Sequence, residues 1–198
     1  MASVPAAAPS AGAAAPERVS GPSVLGVGVV VWLSSELMFF AGLFAAYFTL
    51  RGANRTWPPA GAELATGRTA AATAVLIGSS FTMHRAVRAS ERDDRSGAGR
   101  WLIITMALGL VFLGNQALEY SELSFSISSH AYGSIFYLMT GFHGLHVLGG
   151  IVFMLVTAGV IGGRSAAPAG PATMVCGYYW HFVDVVWIAM YLTIYVLR

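Results

Sequence analysis

Five long apolar segments dominate the pattern of hydrophobic and polar positions along this chain. A helix that crosses a membrane needs about 20 mostly apolar residues. Segments of that kind occur at residues 24–50, 70–89, 101–120, 132–161 and 172–197. The connections between them are short and leave no room for a soluble domain. The pattern therefore predicts an all-α protein, a polytopic membrane bundle of five transmembrane helices that forms one domain over residues 23–198.

The beginning of the chain has a different composition. Residues 1–22 consist mainly of Ala, Pro, Ser and Gly and contain few large apolar side chains. Such a segment buries too little apolar surface to offset the entropy of ordering, so we expect a disordered N-terminal tail. The first apolar run follows this tail and is long enough to span a membrane. We expect this first helix to act as the insertion signal.

The distribution of arginine predicts the orientation. The chain has eleven Arg and no Lys. With a cytoplasmic N-terminus, seven of the Arg lie on the cytoplasmic side, five of them within residues 85–100, and four lie on the other side. The positive-inside rule favours this arrangement, and an odd number of spans then places the C-terminus outside. Residues 85–100 are expected to form a solvated loop next to anionic lipid headgroups.

Composition also excludes several functions. Hydrophobic residues make up 56% of the chain and charged residues 10%, as in membrane proteins rather than soluble domains. A single cysteine, Cys176, excludes an internal disulfide and is expected to be an inert buried thiol. The chain has no Walker-type phosphate loop, and its net charge of +2 is spread over loops. Nucleotide hydrolysis and nucleic-acid binding are therefore not indicated.

Glu36 is a carboxylic acid within the first span. At a rise of about 1.5 Å per residue, it lies close to the bilayer midplane. A charge is costly in hydrocarbon, so an unpaired Glu36 is expected to be neutral. Two interpretations are about equally supported: a hydrogen bond to a neighbouring helix, or a group that exchanges protons or contacts a lipid.

Two further polar pairs lie within the spans, each with a spacing of three residues that places both members on one helical face. His143 and His146 occur among four glycines, which favours close helix packing around hydrogen-bonded side chains. Lipid or proton contact is a second interpretation, and metal binding is a third for which two ligands are too few. His181 and Asp184 form an ionisable pair at bilayer depth, which by default marks a functional site.

Three residues are expected at the outer membrane–water interface. Glu119 and Glu122 come at the end of the third span, where headgroups and water can solvate them, and we interpret them as anchors or contacts to a partner. Trp57 precedes Pro58 and Pro59 after the first span. We interpret it as an interfacial anchor followed by a stiff turn.

Several of these motifs together resemble subunit III of haem-copper cytochrome c oxidase. They occur in the same order as in that family and extend over residues 30–198. The matching segments are 34–40 (SSELMFF), 57–59 (WPP), 116–120 (QALEY), 132–134 (YGS), 140–147 (TGFHGLHV) and 179–187 (YWHFVDVVW). Larger members of the family have seven spans, and this chain lacks the first two, as does the short form found in some bacterial oxidases. The missing pair forms one wall of a lipid-holding cleft, which here would be open or closed by another subunit.

The resemblance implies a subunit without redox chemistry of its own. Haem and copper would belong to partner subunits I and II, and phospholipid would be bound. The chain would stabilise subunit I, aid proton uptake on the cytoplasmic side and hold lipids on an oxygen route. The whole enzyme would reduce oxygen to water, coupled to proton pumping, in the bacterial plasma membrane. Its electron donor would be cytochrome c or a cytochrome c-containing respiratory complex.

The resemblance also assigns site residues. Glu36 matches the family's intramembrane carboxyl that reacts with carbodiimide. We expect it to be the functional residue, with His143, His146, His181 and Asp184 as its polar neighbourhood.

Two alternative functions are compatible with the sequence. One is subunit III of a bacterial quinol oxidase, which also has five spans, although the SSELMFF and WPP segments are more similar to the cytochrome c branch. The other is a small proton-coupled transporter that uses intramembrane Glu, His and Asp. The chain has no internal repeat and no pair of broken helices, which disfavours a transporter.

Overall fold

The computed structural model describes residues 24–164 and 169–197, and this part of the chain is helical apart from its connections. The five long helices are α1 (Val24–Ala53), α2 (Thr66–Glu91), α3 (Arg95–Glu122), α4 (Ala131–Gly159) and α5 (Ala169–Tyr191). Short π-helical segments follow α4 at Val160–Arg164 and α5 at Leu192–Val196. The tail predicted over residues 1–22 lies outside the described residues. The predicted all-α class is confirmed.

Four helical stretches are long and apolar enough to cross a membrane. They are Leu25–Ala53, Arg95–Glu122, Ala131–Gly163 and Ala169–Val196. The remaining helix, α2, has 26 residues but carries Ser, Thr, His and Arg side chains along its length. Its crossing of the membrane stays a prediction.

The polar residues of α2 serve the packing of α5. Trp180 and Trp187 of α5 are fully buried, and their indole N–H groups donate to Ser79 at 2.8 Å and Thr73 at 2.9 Å. A buried indole N–H needs an acceptor, and hydroxyl side chains on the facing helix supply it. Helix α5 packs against α2 on one side and α4 on the other. The lower hydropathy of α2 therefore reflects its contacts within the bundle.

A glycine permits the close approach of α4 and α5. A Cβ atom at Gly150 would lie 2.7 Å from the ring of Trp180, closer than van der Waals contact allows. The interpretation that glycines of the fourth span serve close packing therefore holds at this position.

The helices continue beyond the predicted spans. Only Arg92, Asp93 and Asp94 separate α2 from α3, so the solvated loop expected over residues 85–100 is wrong for most of its length. The side chain of Asp94 caps α3 by accepting the N–H of Gly97 at 2.8 Å. Hydropathy predicts which residues lie in the hydrocarbon layer. The helix itself continues beyond that layer, to the point where a cap forms hydrogen bonds with its terminal backbone groups.

Helix α1 lies at the edge of the bundle. It packs mainly against α4 and α5, and only 6% of its most apolar stretch is buried. Phe40 and Tyr47 are its buried residues, and the hydroxyl of Tyr47 donates to the carbonyl of Thr193 at 3.2 Å. The rest of α1 presents a row of apolar side chains outward, which suits contact with lipid or with another subunit.

Candidate functional site

Glu36 of α1 contacts His146 of α4. The Oε2 atom of Glu36 lies 3.1 Å from Nε2 of His146. The other ring nitrogen, Nδ1, lies 2.7 Å from the carbonyl oxygen of Phe142. A carbonyl oxygen only accepts hydrogen bonds, so Nδ1 carries a proton. Nε2 then either accepts from a neutral Glu36 or donates, as part of an imidazolium, to its carboxylate. In both states the pair shares one proton and has no net charge.

Aromatic rings surround this pair. The ring of Phe40 meets the imidazole of His146 edge-on at a centroid distance of 5.0 Å, and Tyr179 of α5 donates its hydroxyl to the backbone carbonyl of His146 at 2.9 Å. The indole of Trp32 stacks on Tyr179 at 5.3 Å. The side chain of Glu36 remains 25% exposed and that of His146 16% exposed. The pair is thus enclosed by apolar rings but accessible from the α1 edge of the bundle.

His143 points elsewhere. It is 1% exposed, stacks on Trp187 at 4.9 Å and meets Phe112 edge-on at 5.8 Å. Neither of its ring nitrogens has a hydrogen-bond partner among the described residues. The two histidines of α4 therefore do not act together: His146 faces Glu36, whereas His143 lies inside the bundle.

His181 and Asp184 of α5 both contact Ser80 of α2. The hydroxyl of Ser80 donates to Oδ2 of Asp184 and lies 3.0 Å from Nδ1 of His181. Because the single hydroxyl proton is used by Asp184, the Ser80 oxygen is free to accept the N–H of His181. Asp184 is 4% exposed. The spacing of His181 and Asp184 predicted that they share one helical face. It did not predict their contact with Ser80. The two adjacent serines within the apolar stretch of α2, Ser79 and Ser80, were the signal that could have indicated it.

His181 also reaches a groove between α1 and α5. The groove has a volume of about 640 Å³, and most of its walls are apolar, with Val27 and Val30 on α1 and Met174 and Tyr178 on α5. The expected neighbourhood of Glu36 therefore divides into three parts: the Glu36–His146 pair, the Ser80–His181–Asp184 group, and His143 alone.

Glu119 differs from expectation. It is 1% exposed and accepts hydrogen bonds from the hydroxyls of Tyr195 at 2.9 Å and Thr69 at 3.2 Å. The expectation that water solvates Glu119 is wrong, because α2 and the C-terminal π-helical segment cover it. Glu122 is exposed, as expected, and forms an ion pair with Arg68 at 2.7 Å.

The side chain of Trp57 packs against other aromatic rings of the bundle. Its ring meets Tyr47 and Tyr132 edge-on at centroid distances of 5.4 and 5.1 Å. The peptide bond between Trp57 and Pro58 is cis. The connection after α1 is thereby held against α1 and α4 by the ring of Trp57.

The titratable side chains do not cluster as metal ligands within the described residues. Within residues 24–164 and 169–197, no group of three or more His, Cys, Asp or Glu side chains is placed to hold a metal ion. Cys176 is a buried free thiol.

Comparison with known proteins covers nearly the whole chain. The family model for cytochrome c oxidase subunit III matches residues 17–198. A protein of Mycobacterium bovis named probable cytochrome c oxidase subunit 3 is 50% identical over 184 residues, which cover 89% of this chain and 90% of that protein. Cytochrome c oxidase subunit 3 of Corynebacterium diphtheriae is 44% identical over 195 residues, 93% of this chain and 95% of the relative.

A more distant relative has the same name. Cytochrome c oxidase subunit 3 of Thermostichus vulcanus is 42% identical over 176 residues, 86% of each chain. The resemblance inferred from the motifs is confirmed by the family match and by these identities. The chain belongs to the cytochrome c oxidase subunit III family.

Proposed function

We propose that this chain is subunit III of a bacterial respiratory cytochrome c oxidase in the plasma membrane. It assembles with subunits I and II, which carry haem and copper, and it has no redox centre of its own. The whole enzyme takes electrons from cytochrome c or a cytochrome c-containing complex, reduces oxygen to water and pumps protons. Support comes from relatives named cytochrome c oxidase subunit 3 at 42–50% identity, which favour this assignment over a quinol oxidase.

The proposed topology has five spans, with the N-terminus in the cytoplasm and the C-terminus outside. It rests on the arginine distribution and on the position of α2. Arg68 pairs with Glu122 near one end of α2, and Arg85 lies 4.9 Å over the ring of Trp101 near the other. Helix α2 therefore accompanies α3 over most of its length. Because α3 is apolar enough to cross the membrane, α2 would cross beside it.

The Glu36–His146 pair is the observation that carries the proposed role of this subunit. A pair without net charge tolerates an apolar environment far better than a lone ion does. Its partial exposure lets a proton, or a phospholipid headgroup that reaches inward, approach it from the α1 edge. We assign to it the support of proton uptake and of lipid binding beside subunit I. The Ser80–His181–Asp184 group, which borders the α1–α5 groove, would serve the same lipid-associated role.

Purification through a tag on this chain tests membership. The complex isolated in mild detergent should show haem a absorption, contain subunits I and II and reduce oxygen. A tagged chain that is pure, stable and free of haem-bearing partners would refute the proposal and favour a transporter.

Carbodiimide labelling tests the site. The reagent attacks a protonated carboxyl in an apolar setting, and it should label Glu36 in preference to Glu119 and Glu122. Glu119 is the control for access, because its carboxyl is covered by the bundle. Glu122 is the control for the apolar setting, because its carboxyl is exposed to water. If labelling avoids Glu36, and the Glu36→Gln variant matches wild type in pumping, lifetime and lipid content, the pair is only a packing contact.

A further inference from the structure

The beginning of α3 and the end of α4 enclose a groove that is separate from the Glu36 neighbourhood. It has a volume of about 460 Å³ and is lined at its polar end by Arg95, Ser96 and Arg100 and further along by Ile103, Ala158 and Ile161. A second hollow of about 380 Å³ shares Ala158 and Gly162 with it and reaches Leu155 of α4. Together they form one groove that begins between arginines and continues over an apolar surface.

Glycines leave this groove open. A Cβ atom at Gly99, Gly159 or Gly162 would meet no atom within 4 Å. Gly150 differs, since a Cβ atom there would collide with Trp180. The glycines of the groove are therefore not needed for helix packing, and their missing side chains are what makes the hollow.

The arginines at the mouth have no carboxylate partner. Arg95 and Arg100 are exposed, and neither forms an ion pair within the described ranges. Asp94, the acid next to Arg95, is engaged in capping α3. The Nη1 atom of Arg95 donates to the carbonyl of Ile161 at 3.5 Å, which keeps this guanidinium beside the groove. Both arginines line the same groove, and guanidinium groups match the oxygens of a phosphate.

The position of the groove indicates what kind of ligand it binds. Both α3 and α4 are apolar enough to cross the membrane, and the groove lies at the first turns of one and the last turns of the other, where headgroups meet hydrocarbon. Ile103 is 61% exposed and Leu155 57% exposed along its apolar part. We propose that this groove binds an anionic phospholipid, with the phosphate at Arg95 and Arg100 and an acyl chain along the α3–α4 surface. The site does not depend on the proposed role of Glu36.

The test uses the whole oxidase complex, purified through a tag on this chain and depleted of lipid with detergent. It is incubated with phosphatidylglycerol that carries a photoreactive diazirine in one acyl chain, and labelled peptides are mapped by mass spectrometry. Labelling should fall on the peptides that contain Ile103 and Leu155. Unlabelled phosphatidylglycerol should compete, whereas phosphatidylcholine and inorganic phosphate should not.

Matched variants separate charge from shape. Arg95→Gln with Arg100→Gln should weaken binding about 10-fold or more, since each arginine near a membrane surface adds roughly a factor of five to attraction for anionic lipid. Arg88→Gln with Arg92→Gln removes the same charge from residues that do not line the groove. Because salt screens charges that do not contact the bound headgroup, this control should change binding less than about twofold. Gly159→Leu should fill the groove and abolish labelling. Gly114→Leu, at a position of α3 outside the groove where a Cβ atom also meets nothing, should not.

Several outcomes would overturn the proposal. Equal competition by phosphatidylcholine would mean an unselective lipid surface, and competition by inorganic phosphate would mean a simple anion site. Lipid labelling that falls on a peptide of another subunit, and not on the peptides with Ile103 and Leu155, would mean that a protein covers the groove. Carbodiimide labelling of Glu36 is measured in the same variants and should be unchanged, so that failure of this site and failure of the proposed function are distinguishable.

Discussion

The Nε2 atom of His146 lies 3.1 Å from the carboxyl of Glu36, and this contact fastens α1 to α4. Because the carbonyl of Phe142 holds the proton on Nδ1, only the proton between Nε2 and the carboxyl can move within the pair. The two residues therefore act as a unit, and each should be sensitive to the loss of the other.

Substitution of both partners should be better tolerated than substitution of either one. Glu36→Leu alone leaves the imidazole without its partner, and His146→Leu alone leaves the carboxyl unpaired, which is costly in an apolar site. The double variant removes both polar groups. We expect a coupling energy of about 0.5–3 kcal/mol in thermal unfolding of the purified complex. Strictly additive losses would show that the contact contributes nothing.

Glu36→Gln should preserve assembly, because the amide can donate to Nε2 of His146 in place of the carboxyl. Oxygen reduction should continue, since the metal ligands of the other subunits are untouched, while proton pumping or lifetime during turnover should fall modestly. Oxygen consumption, proton release from vesicles and the number of turnovers before inactivation measure these three effects. Loss of oxygen reduction at the first turnover would contradict this expectation.

The proposed topology predicts opposite labelling of two exposed positions. In a Cys176→Ala background, a cysteine at Ser96 should react with a membrane-impermeant maleimide only from the cytoplasmic side, and one at Ala60 only from outside. Both side chains are exposed, so access within the protein is not limiting. Labelling of both from one side would show that α2 does not cross the membrane.

The helical class and the approximate places of four spans could be predicted from hydropathy, because in lipid the backbone must satisfy its hydrogen bonds within the helix. The ends could not, since Asp94 and Gly97 fix the start of α3 by a local cap that lies outside the apolar window. Hydropathy is also a weaker guide to α2, because hydroxyls such as those of Thr73 and Ser79 face α5 and not water.

The site could be predicted only as a set of residue types. Spacing places His143 and His146 on one face, but two positions three apart still differ by about 60° around a helix. That difference is enough to direct His146 to Glu36 and His143 to Trp187. Which helix supplies the partner, as Ser80 does for Asp184, depends on packing between distant segments.

Gly150→Ala should destabilise the bundle. The added Cβ atom would lie 2.7 Å from the Trp180 ring, which is held by its bond to Ser79 and cannot move freely. Overpacking of this kind costs about 1–3 kcal/mol. Gly114→Ala is the matched control, since its Cβ atom meets nothing and alanine favours a helix. Thermal unfolding of the two complexes should separate them, and equal melting temperatures would contradict the close contact.

Glu119 should matter more for stability than Glu122, although both end the same helix. Glu119→Leu removes the carboxylate that accepts from the buried hydroxyls of Tyr195 and Thr69, of which Thr69 can still donate to the carbonyl of Ala65 at 3.1 Å, and the change should cost about 1–3 kcal/mol. Glu122→Leu removes an exposed ion pair with Arg68, which water and salt already screen, so the melting temperature should hardly change. Tyr195→Phe should reproduce part of the Glu119→Leu loss, because it removes one of the same two hydrogen bonds. If Glu122→Leu proves the more damaging change, the end of α3 is stabilised by its surface charge and not by the covered carboxyl.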